Sequence, residues 1–337
     1  MTRPAIFVSR KIPSPGPELL SESCDAVMYD GEGPPSREEL LRKMKDKDGL
    51  LCLVTDRVDG SLLDSAPRLK VISSMSVGHE HIDVEAATKR GVYVTYTPGV
   101  LTEATADFTF ALLLAVARRV AEADAYVREG RWIVAWGPMM MLGMDVNRKT
   151  LGIVGLGRIG RAVAQRARGF SMKCVYHDVA RVPPEVEREL GLEYAPLEQL
   201  LAQSDYVTLH VPAMKETSGL MNEAKLRLMK PTAFLINTSR GAVIDESALA
   251  KALKEKWIAG AALDVFQEEP LGQDHPLRGF RNVVLAPHLA SGSREARSSM
   301  AELAARNLLA VLRGEKPPAW VNPEVETKRP LDQVRML

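Results

Sequence analysis

The stretch LGIVGLGRIGRAVAQRARGF, Leu151–Phe170, decides the fold of the middle of this chain. An apolar run leads directly into the glycine loop Gly155–Gly160, and a helical pattern follows at once. Here Gly155 permits a tight turn, Gly157 lets the backbone approach a pyrophosphate, and Gly160 allows close helix–strand packing. The helix N-terminus presents N–H groups and a positive dipole end to phosphates. We therefore predict a dinucleotide site that includes Gly155, Gly157, Arg158, Ile159 and Gly160.

A second predicted strand, KCVYHD, ends at Asp178, eighteen residues beyond Gly160. An acid at about this spacing accepts hydrogen bonds from the ribose hydroxyls of NAD and repels the 2′-phosphate of NADP. Arg181 lies three residues further on and could soften that repulsion. The sequence therefore predicts NAD as the preferred cofactor and leaves NADP possible.

Short apolar runs that alternate with helical patterns predict a doubly wound, parallel α/β domain. The predicted strands are Leu151–Gly155, Lys173–Asp178, Tyr206–Pro212, Ala233–Gly241, Gly260–Phe266 and Asn282–His288. The first hundred residues repeat the alternation on a smaller scale, with strand candidates at 4–10, 49–55, 69–78 and 91–99.

Two long helical patterns, Leu101–Gly130 with Thr102 as a possible cap and Ser293–Glu315, are predicted to connect two domains. We expect a smaller α/β domain of residues 1–99 and 292–337, with a dinucleotide-binding domain of residues 100–291 inserted into it. The polar tail from Asn322 is expected to be loosely ordered.

The composition argues against several classes of partner. Among 337 residues, 44 lysines and arginines nearly cancel 43 aspartates and glutamates, which gives no bulk attraction for nucleic acid or an anionic membrane. The longest apolar block, Phe110–Ala117, is too short to span a membrane, and the N-terminus lacks a signal-peptide pattern. Cys24, Cys52 and Cys174 are too few and too far apart for a disulfide framework or a zinc site. We expect buried thiols and a cytoplasmic protein without metal.

Three side chains near the ends of the later strands can carry chemistry. Arg240 can bind a small carboxylate with a two-pronged hydrogen bond while its charge polarises a neighbouring carbonyl. His288 can transfer a proton, and Glu269 can hold the other ring nitrogen. This set suffices to reduce a 2-oxo acid to a 2-hydroxy acid.

Longer motifs resemble the D-isomer-specific 2-hydroxyacid dehydrogenases over almost the whole chain. They are the glycine loop, SRGAVIDESAL (Ser239–Leu249), LDVFQEEPL (Leu263–Leu271) and APHLASGS (Ala286–Ser293). The stretches ISSMSVGHEHID (Ile72–Asp83), YTPGVLTEATAD (Tyr96–Asp107) and Trp136–Gly143 are most similar to the glyoxylate/hydroxypyruvate reductase branch. The resemblance implies a Rossmann cofactor domain and a flavodoxin-like substrate domain.

The resemblance also implies roles for individual residues. His288 would be the proton donor, Glu269 its partner, and Arg240 the ligand of the substrate carboxylate and carbonyl. Cofactor contacts would include Arg181, Pro212, Thr238, Asp264, which would orient the nicotinamide amide, and Gly292. Substrate contacts would include Ser76 and the backbone N–H groups of Val77 and Gly78. NADP-using reductases of this type resemble Ser-Arg-x-Arg where this chain has Asp178–Arg181, which favours NAD.

Several alternatives remain at this point. The chain could act on another D-2-hydroxy acid such as lactate or 3-phosphoglycerate, although SSMSVG (Ser73–Gly78) offers no cation for a phosphate. A non-enzymatic, NAD-sensing co-regulator is a further possibility. The tryptophans and methionines of residues 132–142 favour packing, and the resemblance implies a dimerisation arm there, so a homodimer is expected. His275 is expected in a surface turn, and His79, His81 and His210 remain minor candidates for the site.

Overall fold

The computed structural model describes residues 3–337. The strands are Ala5–Val8 (β1), Asp25–Met28 (β2), Gly49–Cys52 (β3), Val71–Ser74 (β4), Tyr93–Thr95 (β5), Thr150–Val154 (β6), Lys173–His177 (β7), Leu192–Tyr194 (β8), Tyr206–Leu209 (β9), Phe234–Asn237 (β10), Gly260–Leu263 (β11) and Val283–Leu285 (β12). The α-helices are Gly16–Ser23 (α1), Arg37–Met44 (α2), Gly60–Ser65 (α3), Val84–Lys89 (α4), Thr102–Ala117 (α5), Val120–Arg128 (α6), Arg158–Gly169 (α7), Pro184–Leu190 (α8), Leu197–Gln203 (α9), Glu223–Leu226 (α10), Glu246–Lys254 (α11), Arg294–Leu312 (α12) and Leu331–Val334 (α13). Short 3-10 helices span Gly241–Val243, Pro276–Gly279 and Pro323–Thr327.

The chain divides into two compact units, one made of the chain up to Leu101 together with Gly292–Leu337, the other of Thr102–Ser291. The first unit holds a parallel sheet in the order β2-β1-β3-β4-β5. Every residue of β3 and β4 is buried, as expected for a parallel sheet covered on both faces. This strand order is that of a flavodoxin-like fold, which confirms the prediction.

The second unit holds a parallel sheet in the order β12-β11-β10-β9-β6-β7-β8. The chain first winds outward from β6 to β8 and then returns to pair β9 on the other side of β6. This reversal is the switch point at which doubly wound sheets bind ligands, and the Rossmann prediction is confirmed. All six predicted strands are present, and β8 is an additional edge strand.

Side chains on the two faces of this second sheet enter separate hydrophobic clusters. In β10, Leu235 packs with helices α9 and α11, whereas Phe234 and Ile236 pack with α5 and α7. The register aligns Asn237 with Leu209 and Leu263, so the carboxyl ends of β9, β10 and β11 lie side by side. The loops that follow these strands are therefore neighbours.

Three sequence predictions, two about a connecting helix and one about the tail, are wrong. The predicted helix Leu101–Gly130 is two helices, because Arg119 adopts a left-handed conformation (φ +55°) between α5 and α6. Thr102 is the first residue of α5 and not its cap. The tail is ordered, because the fully buried Asn322 accepts a hydrogen bond from Val94 N at 2.8 Å and anchors the chain there.

All three cysteines are buried and unpaired, as predicted. Within residues 3–337, no helix has the length and apolar character needed to cross a membrane.

Candidate active site

The glycine loop of the second unit has the geometry that its three glycines predict. Gly155 has φ +92°, and a Cβ there would lie 2.7 Å from the carbonyl oxygen of His210. A Cβ on Gly160 would lie 2.2 Å from the carbonyl oxygen of Gly155, so α7 packs against the loop only because this residue is glycine. At Gly157, by contrast, no atom of the described residues lies within 4 Å of such a Cβ.

Gly157 is also the N-cap of α7, and no side chain of residues 3–337 caps this end of the helix. The first N–H groups of a helix have no intrahelical acceptor, and its dipole favours an anion there. The open side of Gly157 and the uncapped N–H groups of α7 therefore fit the pyrophosphate of a dinucleotide.

Asp178 directly follows β7 and is fixed against this loop. Its carboxylate accepts hydrogen bonds from Leu156 N and Val179 N, both at 2.7 Å. Because the carboxylate is tied to the glycine loop, its position relative to the N-terminus of α7 is fixed by the same turn. Arg181 lies nearby in sequence, but its guanidinium pairs with Glu187 at 2.8 Å.

Arg240 is held by the residue that ends β10. Asn237 is fully buried, and its Nδ2 donates to the carbonyl oxygen of Arg240 at 2.9 Å. Its Oδ1 accepts from the backbone N–H of Ser239 at 3.0 Å and from the Ser239 hydroxyl at 2.8 Å. The amide of Asn237 thus closes the turn that presents Arg240, and sequence reasoning missed this residue.

Gly241 allows the turn that carries Arg240 to contact the loop that follows β11. A Cβ on Gly241 would lie 1.8 Å from the carbonyl carbon of Phe266, so the two backbones touch without room for any side chain. Phe266 belongs to the loop that leads to Glu269, and the charge of Arg240 acts on the carboxylate of Glu269. The close approach at Gly241 therefore sets the position of Arg240 relative to Glu269.

His288 and Glu269 form the pair that the sequence predicts. Nδ1 of His288 lies 2.7 Å from Oε2 of Glu269, whose Oε1 accepts from Phe266 N at 3.0 Å. Burial raises the pKa of Glu269, but the hydrogen bonds from His288 and Phe266 and the charges of His288 and Arg240 outweigh burial and lower it. An ionised Glu269 makes Nδ1 of His288 a donor, and Nε2 binds no other described residue.

Asp264 holds the loop that carries His288. Its carboxylate, fully buried after β11, accepts from Leu289 N at 2.6 Å and from Ala290 N at 2.7 Å. Its carbonyl oxygen accepts from His288 N at 2.8 Å. Burial raises the pKa of Asp264, although the two N–H donors oppose this. His288 has φ +56°, a conformation that few non-glycine residues adopt, and Asp264 binds the backbone around it.

The predicted cofactor residue Thr238 follows β10, and its hydroxyl bonds that of Thr109 on α5 at 2.8 Å. Pro212 is exposed after β9, where its carbonyl oxygen accepts from the Thr217 hydroxyl at 2.6 Å. Gly292 is exposed at the start of the last segment of the first unit. The structure therefore brings Thr238 to the sheet edge near Arg240.

The predicted substrate loop follows β4 in the first unit. The Ser76 hydroxyl donates to the carbonyl oxygen of Gly78 at 2.6 Å, so this side chain closes the loop. The N–H groups of Val77 and Gly78 find no acceptor among residues 3–337. Two successive free N–H groups are suited to bind an anion such as a carboxylate.

Three other histidines, His275, His210 and His79, each contact a neighbouring side chain. His275 begins the 3-10 helix Pro276–Gly279 and pairs with Glu246 at 3.0 Å. The His210 ring bonds the Thr208 hydroxyl at 2.9 Å, and burial lowers its pKa to about 3. The His79 ring packs edge-on against Tyr96.

The segment of residues 132–142 does not pack into the core of this chain, and its predicted role as a dimerisation arm stays a prediction. Ile133 is 87%, Trp136 76% and Met139 78% exposed. Apolar side chains exposed to this degree in one segment are typical of a surface covered by another molecule.

Known proteins are similar to this chain over most or all of its length. The family model of the D-isomer specific 2-hydroxyacid dehydrogenase NAD binding domain matches residues 110–290. A glyoxylate reductase of Thermofilum pendens is 57% identical over 339 residues, which is 100% of each chain. The crystal structure of the TT0316 protein from Thermus thermophilus is 46% identical with a TM-score of 0.89, and covers 94% of this chain and 99% of its own. An NADPH-dependent glyoxylate/hydroxypyruvate reductase from Sinorhizobium meliloti, in complex with NADP and malonate, is 33% identical with a TM-score of 0.81, and covers 96% and 98% respectively.

Proposed function

The chain belongs to the D-isomer specific 2-hydroxyacid dehydrogenases, and from this premise we propose that it reduces glyoxylate or hydroxypyruvate to glycolate or D-glycerate. The observation that carries the proposal is the His288–Glu269 pair with the charge of Arg240 beside it. The names of the relatives support the choice of small, unphosphorylated 2-oxo acids.

A bound nicotinamide dinucleotide supplies the hydride. His288, protonated and held through Nδ1 by Glu269, donates a proton from Nε2 to the substrate carbonyl oxygen. Arg240 binds the substrate carboxylate and stabilises the negative charge that develops on the carbonyl oxygen. The free N–H groups of Val77 and Gly78 are proposed as further donors to the carboxylate.

We also propose that NADH is the preferred cofactor. The support is Asp178, whose carboxylate is fixed beside the glycine loop and carries the charge that disfavours a 2′-phosphate. The relative from Sinorhizobium meliloti binds NADP, so a direct comparison of NADH with NADPH is needed for this chain.

A homodimer accounts for the exposed apolar segment of residues 132–142. Interface centres are enriched in tryptophan and methionine, which are among the exposed side chains here. The three unpaired, buried cysteines support a reducing, cytoplasmic compartment. Sedimentation velocity on the wild type and on Ile133→Asp tests the dimer, because a charge at that position should separate the subunits.

The function is tested by following nicotinamide absorbance with glyoxylate, hydroxypyruvate, pyruvate and 3-phosphohydroxypyruvate, each with NADH and NADPH. We expect glyoxylate or hydroxypyruvate with NADH to give the highest kcat/KM. His288→Asn should lower kcat by at least about 10²-fold, since general acid catalysis contributes this much. The matched control His275→Asn, which removes a histidine paired with another glutamate, should retain turnover. Tight NADH binding without turnover of any of the four acids would contradict the proposal.

A further inference from the structure

Arg181 lies where an arginine can accommodate the 2′-phosphate of NADP, three residues beyond Asp178, the residue proposed to meet the ribose. In the structure, however, its guanidinium is engaged by Glu187. The Nε and Nη2 atoms of Arg181 donate to the two carboxylate oxygens of Glu187, each at 2.8 Å. This two-pronged geometry is the strongest that an arginine–carboxylate pair adopts.

Glu187 is itself fixed from a second side. It lies on α8 with only 9% of its surface exposed, and Oε1 accepts a hydrogen bond from the Tyr176 hydroxyl at 2.7 Å. Tyr176 is fully buried, and its hydroxyl oxygen accepts from Val182 N at 3.1 Å. The hydrogen bonds from Arg181 and Tyr176 lower the pKa of Glu187 to about 2, so it remains an anion at any working pH.

We propose that Glu187 is a specificity-determining residue for the cofactor: it holds Arg181 in an ion pair and thereby withholds it from the 2′-phosphate of NADPH. The inference rests on the proposed function and concerns its cofactor. For Arg181 to bind a phosphate, the buried carboxylate of Glu187 would have to lose its cation, which is unfavourable. Asp178 repels the phosphate, and Glu187 removes the cation that would offset this repulsion.

The test is Glu187→Gln, which keeps an acceptor for Tyr176 but removes the charge that holds Arg181. The dissociation constants of NADPH and NADH are measured by nicotinamide fluorescence without any 2-oxo acid. We expect NADPH to bind about tenfold more tightly relative to NADH, the effect of one charge-assisted hydrogen bond. The matched control is Glu185→Gln, which breaks the exposed pair with Arg188 on the same helix and should leave the ratio unchanged.

The double variant Glu187→Gln/Arg181→Met should lose the gain, because the released cation is then absent. An unchanged ratio in Glu187→Gln, or a gain that survives in the double variant, would overturn the inference. If Glu187→Gln fails to fold, Glu187→Asp keeps the charge but shortens the side chain by one methylene, which breaks the two-pronged contact with Arg181, and a smaller shift in the same direction is expected. Because the measurement needs no turnover, a shifted ratio in a protein inactive on all 2-oxo acids would reject the proposed function and retain the cofactor inference.

Discussion

Gly157→Ala should weaken NADH binding without lowering stability, whereas Gly160→Ala should lower the stability of the fold itself. The two glycines nevertheless belong to one loop. Gly157 has φ −69°, which any residue adopts, and a Cβ there meets no described atom within 4 Å. Gly157→Ala should therefore keep the free energy of unfolding or raise it by about 0.4–1 kcal/mol through the unfolded chain. The methyl group added at position 157 would affect binding, because it would occupy the space proposed for the pyrophosphate. Loss of one charge-assisted hydrogen bond, about 1.5–3 kcal/mol, weakens NADH binding roughly 10- to 100-fold.

At Gly160 the new methyl group would lie 2.2 Å from the carbonyl oxygen of Gly155, and neither atom can move without moving the backbone. Overpacking of this kind costs about 1–3 kcal/mol. In a unit of this size, each kcal/mol lost from the free energy of unfolding lowers Tm by about 2–4 °C. Gly160→Ala should therefore lower the Tm of the protein without cofactor, before any ligand is added.

Thermal unfolding followed by circular dichroism and NADH titration followed by fluorescence separate the two effects. Gly169→Ala, at the last residue of α7 where a Cβ also meets nothing within 4 Å, is the matched control and should change neither NADH affinity nor packing. If Gly157→Ala binds NADH as the wild type does, the loop is not the pyrophosphate site. If Gly160→Ala unfolds at the wild-type temperature, the close-packing argument fails.

Three further predictions concern the loops around the site. Asp264→Asn should lower kcat about 10- to 100-fold, because it displaces the backbone of His288. The control Asp245→Asn disturbs a similar pair of N–H contacts at the start of α11 and should leave kcat unchanged. Equal effects of the two substitutions on kcat would reject the positioning role of Asp264. Glu269→Gln should lower kcat but not NADH affinity, because only the proton donor loses its charged partner; weakened NADH binding would contradict this. Burial lowers the pKa of His210 to about 3 from an ordinary 6.5, so its contribution to stability is complete above pH 6.5 and is lost as the pH falls toward 3. Chemical denaturation across this pH range should show a smaller loss of the free energy of unfolding in His210→Asn than in the wild type.

The sequence predicted the strands of both sheets well because continuous aliphatic runs are buried on both faces. Two edge strands escaped it: β2 has mostly exposed residues, and β8 has only three residues, so neither shows the buried pattern. The break at Arg119 was also hidden, since the helical pattern continues across it and only the left-handed backbone interrupts it. The order of the tail depends on Asn322, whose partner Val94 is 228 residues away, beyond any local pattern.

Within the candidate site, the sequence predicted the side chains that are proposed to act on ligands but not those that hold the backbone. Arg240 and His288 follow strands and carry groups with evident chemistry. Asn237 was overlooked because an amide at a strand end has no single chemical role. The sequence predicted only a cofactor contact for Asp264 and missed that its carboxylate oxygens also bind the N–H groups of Leu289 and Ala290. The signal available in the sequence was an acidic residue directly after a predicted buried strand, since such a side chain needs N–H donors nearby.

The contact at Gly241 has a consequence for inherited variation in this enzyme. Position 241 offers no functional group, yet any side chain there would force the Arg240 turn away from the loop of Phe266. Missense changes at this codon should therefore be selected against as strongly as changes at the arginine beside it. A saturation library scored for reduction of the 2-oxo acid would show this as an intolerant position with no chemistry of its own.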